Sequence, residues 1–316
     1  MKRKANIFNH ICSVENLQAA QRIARKGKGE QYGVKLFDLD PGGKIMELSD
    51  MLFYKEFTTS PYKVFKVYDP KERDVYGLPY YPDRIVQHGI MLQVERTFLD
   101  MFTADTYSCV PGKGIHGLHW NLIDALRDVP GTQYCLKLDV RKFYENVDHD
   151  ILKGQLRRKF KDPDFFWLID DIIDSAPGIP IGNLTSQFFA NFYLTGLDHY
   201  IKEVLQVKNY FRYCDDMVIT GPSKPYLHEI LARIREYLMD RLKLTIKSNY
   251  QIFPVAARGI DVVGYVYFHD HVLLRKTIKK NFARAVAAGK GTQVIAAYKG
   301  LASHCNSNHL IKKLAA

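Results

Sequence analysis

The sequence has few cysteines and no long apolar run. Its five cysteines are isolated, without any Cys-x-x-Cys pair, which argues against a disulfide framework or a zinc site. No apolar run of about 18 or more residues occurs, and the first residues lack the apolar core of a secretory signal. We therefore expect a soluble cytoplasmic protein without a membrane segment. Internal repeats and low-complexity tracts are also missing, and 47% of the 316 residues are apolar, enough to bury a sizeable core.

Acidic residues are outnumbered by basic ones. The chain has 45 Lys and Arg residues against 34 Asp and Glu residues, for a formal net charge of +11. This excess suits a polyanionic partner, and it fits a basic soluble enzyme equally well. The basic residues are concentrated in segments that are spread over the chain, as a groove along a nucleic-acid backbone would need. The segments are 2–4, 22–28, 157–159, 276–280 and 312–313.

Apolar residues recur in the sequence with both the helical period and the strand period. Apolar residues recur at helical spacing in the segments 6–25, 85–98 and 184–205, the last of which follows a loop at 177–182. Alternating or continuous apolar runs predict strands at Tyr134–Asp139 and 261–268 and a β-hairpin at 210–220. This order of elements predicts an α+β fold rather than repeated βαβ units.

Two adjacent acids interrupt the predicted hairpin. Asp215 and Asp216 stand where a tight hairpin favours Asn-Gly or Asp-Gly, and they repel each other unless a cation lies between them. Asp139 ends a separate predicted strand, so three carboxylates converge if the strand ends meet. Oxygen ligands of this kind suit Mg²⁺, and a pair of ions can hold the attacking and leaving oxygens of a phosphoryl transfer. The alternative interpretation is a set of solvated turn acids.

Six motifs, in order, resemble those of reverse transcriptases. Tyr213-Cys214-Asp215-Asp216 looks like their Tyr-x-Asp-Asp box, and residues 138–149 look like the segment with the first catalytic aspartate. Four further segments are similar to fingers and palm motifs of bacterial, group II intron-like enzymes: 82–88, 107–114, 242–248 and 261–265. Six ordered motifs over roughly residues 60 to 310 make a chance match very improbable.

The resemblance implies a right-hand polymerase of the α+β class, with fingers, a palm of antiparallel sheet backed by helices, and a short helical thumb. The expected divisions are N-terminal helices and fingers at 1–94, palm at 95–146, fingers again at 147–185, palm again at 186–268 and thumb at 269–316. Fewer than fifty residues follow Phe268. We therefore expect no RNase H, maturase or endonuclease domain.

The resemblance also assigns the catalytic residues. It implies that Asp139, Asp215 and Asp216 are catalytic and, together with Val140, bind two Mg²⁺ ions. Lys247 matches a palm lysine that supports the catalytic acids and belongs to the substrate-binding set. A solvated lysine at the end of a strand is the alternative for Lys247.

Further residues are assigned to the nucleotide and the primer by the same resemblance. Arg73 and, as a second choice, Lys71 are expected to bind the triphosphate, a contact that the planar guanidinium suits. Tyr144 is expected to exclude the 2′-hydroxyl of ribonucleotides, with Phe143 as the competing candidate. Gly264-Tyr265 is similar to the region that positions the primer strand.

One segment narrows the family. Most reverse transcriptases carry Gln-Gly-x-x-x-Ser-Pro before the long palm helix, whereas this chain has Ile181-Gly182-Asn183-Leu184-Thr185-Ser186-Gln187. This pattern, like residues 298–310, resembles the reverse transcriptases of diversity-generating retroelements, which copy a template-repeat RNA with errors at adenines for mutagenic retrohoming. Ile181, Gly182 and Gln187 are therefore expected at the substrate. Because isoleucine cannot form the hydrogen bonds of glutamine, we expect lower selectivity for the correct base pair.

The resemblance implies a template RNA, an RNA/DNA hybrid and dNTPs as partners, together with a small helical accessory protein that forms an oligomeric ring. The enzyme would be cytoplasmic and encoded by a bacterium or phage. Three alternatives stay open: a retron or group II intron-like reverse transcriptase of ordinary fidelity, an RNA-dependent RNA polymerase, and a catalytically silent RNA-binding module. The error spectrum, a comparison of dNTPs with rNTPs, and primer extension with and without Mg²⁺ distinguish them.

Overall fold

The structure is a computed structural model that describes residues 3–68 and 72–315. Lys71, a predicted triphosphate ligand, lies outside the described residues. The helices are α1 (Phe8–Cys12), α2 (Val14–Ala24), α3 (Tyr32–Phe37), α4 (Pro41–Phe53), α5 (Ile85–Leu99), α6 (Gly114–Leu126), α7 (His149–Lys159), α8 (Pro163–Asp174), α9 (Leu184–His199), α10 (Lys224–Leu242), α11 (Val255–Arg258), α12 (Lys276–Ala287), α13 (Thr292–Ala302) and α14 (Asn308–Ala315). No helix of the described chain is long and apolar enough to cross a membrane.

The strands form antiparallel sheets. They are β1 (Lys63–Val67), β2 (Arg73–Gly77), β3 (Tyr134–Asp139), β4 (Asn209–Tyr213), β5 (Asp216–Gly221), β6 (Gln251–Pro254), β7 (Ile260–Val262), β8 (Tyr265–Tyr267) and β9 (Val272–Leu274). Within the described residues, β1 and β2 form a two-stranded sheet. A four-stranded sheet has the strand order β4-β5-β3-β6, and a three-stranded sheet has the order β7-β8-β9. Helices combined with antiparallel sheet confirm the predicted α+β class.

Polar caps set several helix boundaries. The segment 6–25, predicted as one helix, is two helices, because Ser13 is extended and its hydroxyl accepts a hydrogen bond from the Asn16 amide at 3.3 Å. Asp40 and Asp162 cap α4 and α8 in the same way, each followed by a proline at the first helical position. The helix predicted over 184–205 ends as α9 at His199 and continues as a π-helical turn, Tyr200–Val204.

The chain divides into two compact units. The first unit contains the described residues of Met1–Thr103, Val140–His199 and Tyr237–Thr245, and the second contains those of Ala104–Asp139, Tyr200–Glu236 and Ile246–Ala316. The expected boundaries of fingers, palm and thumb stay predictions.

The first unit is mainly helical and has an aromatic core. The ring of Phe98 on α5 lies 5.2 Å from that of Phe192 and 5.9 Å from that of Phe160, with Phe188 and Phe189 just beyond. Helix α2 packs on α5 at Gly89, where an added Cβ would lie 3.1 Å from the side-chain nitrogen Nδ2 of Asn16. In contrast to this core, all five residues of β1 are exposed.

The second unit contains the larger sheets. Its core joins α6 to the three-stranded sheet through residues such as Leu118, Leu122, Tyr265 and Tyr267. The strand predicted at Tyr134–Asp139 and the hairpin predicted at 210–220 are confirmed. The single strand predicted at 261–268 was wrong, because the chain reverses between β7 and β8.

Candidate active site

A two-residue turn joins the paired strands β4 and β5. Tyr213 pairs with Asp216, which leaves Cys214 and Asp215 in the turn. Cys214 has a φ of 56°, the left-handed region that the first central residue of a type I′ or II′ turn requires and that glycine adopts most easily. A residue with a Cβ stores strain of about 1–3 kcal/mol in such a conformation. The turn that presents Asp215 is therefore held in place by the sheet.

The ends of β3 and β5 bring two predicted catalytic acids together. Strand β3 is antiparallel to β5, with Asp139 opposite Asp216 in the register. Burial, and next the neighbouring Asp139 carboxyl group, raise the pKa of Asp215 to about 7. Lys247 lies on the other side of Asp139, where its ammonium forms an ion pair with Oδ2 and its amide donates to the main-chain carbonyl at 2.9 Å.

The acid pair fits a divalent cation. Oδ1 of Asp139 is buried and has no hydrogen-bond partner within the described residues. A buried oxygen of this kind beside a second carboxyl group favours a bound cation, which would replace the missing hydrogen bond and offset the repulsion. Asp139 and Asp215 are thus the residues best placed to hold Mg²⁺.

The other two predicted metal ligands are arranged differently. Asp216 begins β5 and is exposed, and the described part of the chain contains no group of three His, Cys, Asp or Glu side chains positioned for a metal ion. Asp216 follows the turn residue Asp215, and its charge contributes to raising the pKa of Asp215. The side chain of Val140 is fully buried and apolar, so only its main-chain oxygen can serve as a ligand.

Arg212 is a residue that the sequence reasoning missed. Its side chain is 0% exposed, and its guanidinium donates to the main-chain oxygen of Cys214 at 3.0 Å and to the hydroxyl of Thr106 at 3.3 Å. The Arg212 amide also donates to the Asp105 carbonyl at 2.9 Å. Arg212 therefore fixes the turn that carries Asp215. The available signal was a charged residue between the apolar residues of a predicted strand.

A separate cavity in the first unit gathers three predicted substrate residues. Its volume is about 390 Å³. The lining residues are Glu72, Arg73, Asp74, Tyr76, Tyr144, Glu145, Pro177, Ile179, Pro180 and Ile181. Arg73, Tyr144 and Ile181 are thus neighbours. Phe143 is 2% exposed and belongs to the core, so of the two candidates Tyr144 is the one that lines the cavity.

Gly182 and Gln187 do not line this cavity. Gln187 is exposed on α9. Gly182 has a φ of 125°, and an added Cβ would collide with the main-chain oxygen of Tyr76. The Tyr76 amide donates to the Ile181 carbonyl at 2.7 Å. The structure therefore gives Gly182 a packing role that lets the Ile181 loop approach β2.

Two further hydrogen bonds anchor the loop that carries Ile181. The Ile179 amide donates to the Tyr144 carbonyl at 2.8 Å, and Nε2 of His149 donates to the Gly178 carbonyl at 2.7 Å. Nδ1 of His149 lies 3.1 Å from the Asp174 carboxylate. No sequence pattern indicates this role of His149, because its partners are distant in the chain.

Asp174 connects this anchor to a lysine. Its carboxylate lies 2.5 Å from the ammonium of Lys153. Burial raises the pKa of Asp174, but hydrogen bonding and attraction to Lys153, and then to His149, outweigh it, so the pKa lies below its ordinary value. The carboxylate therefore stays charged at neutral pH and orients the imidazole.

The expected primer contact of Gly264-Tyr265 is not supported for the tyrosine. Tyr265 is 1% exposed, and its hydroxyl donates to the Leu301 carbonyl at 2.9 Å, so its side chain cannot reach a nucleic acid. Gly264 has a φ of 94°, follows Val263 at 43°, and forms with it the turn between β7 and β8. Its carbonyl accepts from the Arg275 amide at 2.9 Å. Alternating apolar residues concealed this turn, since it lacks the usual Asn-Gly signal.

Comparison with known proteins identifies similar sequences. Residues 69–265 match the profile of the family described as Reverse transcriptase (RNA-dependent DNA polymerase), over more than half of the chain. The chain is 25% identical over 251 residues to the group II intron-encoded protein LtrA of Lactococcus lactis subsp. cremoris, covering 73% of this chain and 40% of LtrA. It is 23% identical over 339 residues to protein YkfC of Escherichia coli (strain K12), covering 90% of this chain and 87% of YkfC.

A solved structure shares the fold. Telomerase from Candida albicans, in complex with the TWJ fragment of telomeric RNA, superposes with a TM-score of 0.50 at 10% identity. The likeness covers 78% of this chain and 55% of the telomerase chain. It confirms the predicted α+β right-hand polymerase fold. The chain spans less than two thirds of both LtrA and this telomerase chain.

Proposed function

Because the chain belongs to the reverse transcriptase family, we propose that it copies an RNA template into DNA from deoxynucleoside triphosphates. The observation that carries the proposal is the pair formed by Asp139 and Asp215, in which a buried carboxylate oxygen has no partner. A silent RNA-binding module has no need for such a destabilising pair.

We propose that Asp139 and Asp215 hold Mg²⁺, with Asp216 and the main-chain oxygen of Val140 completing the sites of two ions. A divalent cation held by these residues would supply Lewis-acid activation for the primer hydroxyl and positive charge for the leaving pyrophosphate. Lys247 fixes the orientation of Asp139 through its ion pair.

We propose that the cavity beside Ile181 receives the incoming nucleotide. The guanidinium of Arg73 pairs with the triphosphate, and the Tyr144 ring excludes a ribose 2′-hydroxyl. The carboxylates of Glu72 and Glu145 also line this cavity, and each is paired with a lysine, Lys66 and Lys142 respectively. Asp74 lines the cavity as well, and within the described residues Arg73 forms no ion pair with any of the three acids, so its guanidinium is available to a phosphate.

Primer extension tests the polymerase proposal. Asp139→Asn and Asp215→Asn each remove a charge from the pair, and we expect a loss of about 10³-fold or more in dNTP incorporation on a primed RNA template with Mg²⁺. The matched control is Asp240→Asn, which changes an exposed carboxylate on α10. Circular dichroism checks that the variants fold. Full activity in a folded Asp139→Asn or Asp215→Asn variant would refute the assignment.

We propose further that the synthesis is error-prone opposite template adenines, as in diversity-generating retroelements. Two observations support this: the Ile181-Gly182 pair stands where most reverse transcriptases have Gln-Gly, and the Ile181 side chain lines the cavity with Tyr144 and Arg73. An isoleucine there offers no hydrogen bond to the nucleotide, and a loss of about 1 kcal/mol in discrimination corresponds to a several-fold change in error rate.

Sequencing of the cDNA tests this finer proposal. Ile181→Gln is expected to reduce misincorporation opposite adenine several-fold, whereas Ile181→Leu, which keeps an apolar side chain, should leave the error spectrum unchanged. An unaltered adenine spectrum in Ile181→Gln would remove Ile181 from the proposal. Equally low error at all four template bases in the native chain would favour a retron or group II intron-like enzyme of ordinary fidelity.

The partners belong to the same proposal. We propose a specific structured RNA as template and a small helical accessory protein, in a bacterial or phage-encoded cytoplasmic system. The net charge of +11 supports the RNA partner. The accessory protein rests on the family resemblance.

A further inference from the structure

Among the described residues of the first unit, three basic side chains have no acidic partner. Arg84 and His88 lie one helical turn apart at the beginning of α5, and Lys28 follows α2. Within the described chain, none of the three forms an ion pair, and the Arg84 side chain donates only a long hydrogen bond, 3.4 Å, to the Leu78 carbonyl. We refer to Lys28, Arg84 and His88 as the basic cluster. Nearby Arg25, by contrast, is neutralised by Asp38 at 2.9 Å.

The packing of α2 against α5 assembles the basic cluster. Near the start of α2, the Asn16 side chain donates to the Gly89 carbonyl at 3.1 Å. Near its end, the Gln21 carbonyl accepts from the Tyr80 hydroxyl at 3.3 Å. The two helices are therefore antiparallel, and the end of α2 lies at the beginning of α5. This arrangement brings Lys28 to the residues of the first turn of α5.

The electrostatics of the basic cluster favour an anion. Burial, and next Arg84, lower the pKa of Lys28. Burial, followed by Lys28 and Arg84, lowers the pKa of His88. Like charges held together without a counter-ion disfavour their own charged forms, and a phosphate between them would relieve the repulsion.

An aromatic cavity adjoins the basic cluster. It has a volume of about 490 Å³, and Arg84 is one of its lining residues. The rings of Phe37 and Tyr80, with centroids 5.6 Å apart, and that of Tyr81 form part of its wall. Tyr32 at its border is 81% exposed. Such a cavity offers a nucleobase aromatic surface for stacking.

We propose that the basic cluster and this aromatic cavity form a binding site for single-stranded RNA, with phosphates on the cluster and an unstacked base in the cavity. An apolar protein segment could fill the cavity, but the uncompensated charge of the cluster is complementary to a phosphodiester backbone. The choice of RNA as the nucleic acid rests on the proposed function. The site is additional to the acid pair and to the cavity beside Ile181.

Fluorescence anisotropy of the full chain with a labelled single-stranded RNA of 20 nucleotides tests the site. Lys28→Ala combined with Arg84→Ala is expected to weaken binding roughly 10-fold at 0.1 M salt, and to reduce the slope of log affinity against log salt by about 1.4, or 0.7 for each lost contact. Tyr32→Ala is expected to weaken binding at least five-fold, with an unchanged salt slope, because stacking involves no counter-ion release.

Lys35→Ala combined with Arg96→Ala is the matched control. It removes the same formal charge, but each of these residues is paired with a carboxylate, Glu30 or Asp100. The proposal would be overturned if the Lys28 and Arg84 variant had the same affinity and the same salt slope as the control. That result would point to a protein as the partner of this face. Native affinity in Tyr32→Ala would also overturn it. Primer extension is measured in parallel: an inactive native chain whose RNA binding still follows the expected pattern would refute the proposed function and leave this site standing.

Discussion

Two regions of the molecule present their functional side chains in different ways. One is the acid hairpin of the second unit, formed by β4 and β5, which carries Asp215 and Asp216. The other is the Ile181 loop of the first unit, residues 177–182. The hairpin is part of a four-stranded sheet and is fixed by the fully buried Arg212, with a strained Cys214 at its left-handed position. The Ile181 loop uses glycines at its left-handed positions, Gly178 and Gly182. It is anchored by single hydrogen bonds to its neighbours, one of them to β2, a partly exposed strand that pairs with the exposed β1.

This difference shows which structural features hold the two groups of side chains in position. Charged groups that act together need a buried and rigid frame, and a sheet with interior strands provides one at the cost of strain. The part of the proposed nucleotide cavity that Ile181 lines contributes shape rather than charge, so a loop without strain suffices. We therefore expect substitutions in the hairpin frame to be more costly than those in the loop.

Arg212→Met is expected to have the largest effect. It leaves the Cys214 carbonyl and the Thr106 hydroxyl without their donor in a buried place, so the free energy of unfolding should fall by about 3 kcal/mol. Urea denaturation measures this. The control, Arg233→Met, changes an exposed arginine that lies 3.6 Å from Glu236, and should stay within about 0.5 kcal/mol of the native chain. A decrease for Arg212→Met no larger than that of the control would contradict the comparison.

Gly182→Ala should have an intermediate effect. A methyl group at a φ of 125° meets the Tyr76 carbonyl, so the loop must shift, at an expected cost of about 1–3 kcal/mol. The displaced Ile181 should raise KM for dNTPs in primer extension. Gly42→Ala in α4 is the control, because an added Cβ there has nothing within 4 Å. Native KM and native stability in Gly182→Ala would show that the loop tolerates the methyl group.

Asp174→Asn should have the smallest effect, and one that depends on pH. Because the pKa of Asp174 is lowered in the folded chain, its stabilisation is present above its unfolded pKa, about 3.9, and is lost as the pH falls through the folded value. The side chain is 53% exposed, so solvent screening limits the difference at pH 7 to about 0.5 kcal/mol.

Denaturation of Asp174→Asn at pH 7 and about pH 3 checks the sign, with Asp240→Asn as the control. The difference from the native chain should be smaller at the lower pH, because protonation of Asp174 begins to remove its stabilisation. A difference that grows in acid would show that Asp174 does not support the loop as a carboxylate.

The sequence predicted what depends on local pattern. Runs of apolar residues located β3, which ends at Asp139, and the 210–220 hairpin, which Asp215 and Asp216 interrupt at its turn. Spacing along the chain carries no information on which distant groups meet, so the contact of Arg212 with the Thr106 hydroxyl and that of His149 with the Gly178 carbonyl were not predictable. The core position of Tyr265 was missed for a similar reason, since the turn at Val263-Gly264 reverses a segment that alternates like one strand.

The order β4-β5-β3-β6 places the strands that carry Asp139 and Asp216 in the interior of the sheet, with β4 and β6 at its edges. Amide hydrogens of interior strands exchange with deuterium only through the largest opening reactions, whereas edge strands fray in smaller ones. Strands β3 and β5 each pair with a strand on both sides. Slow exchange of their amides would therefore measure how long the part of the sheet that carries Asp139 and Asp216 stays assembled.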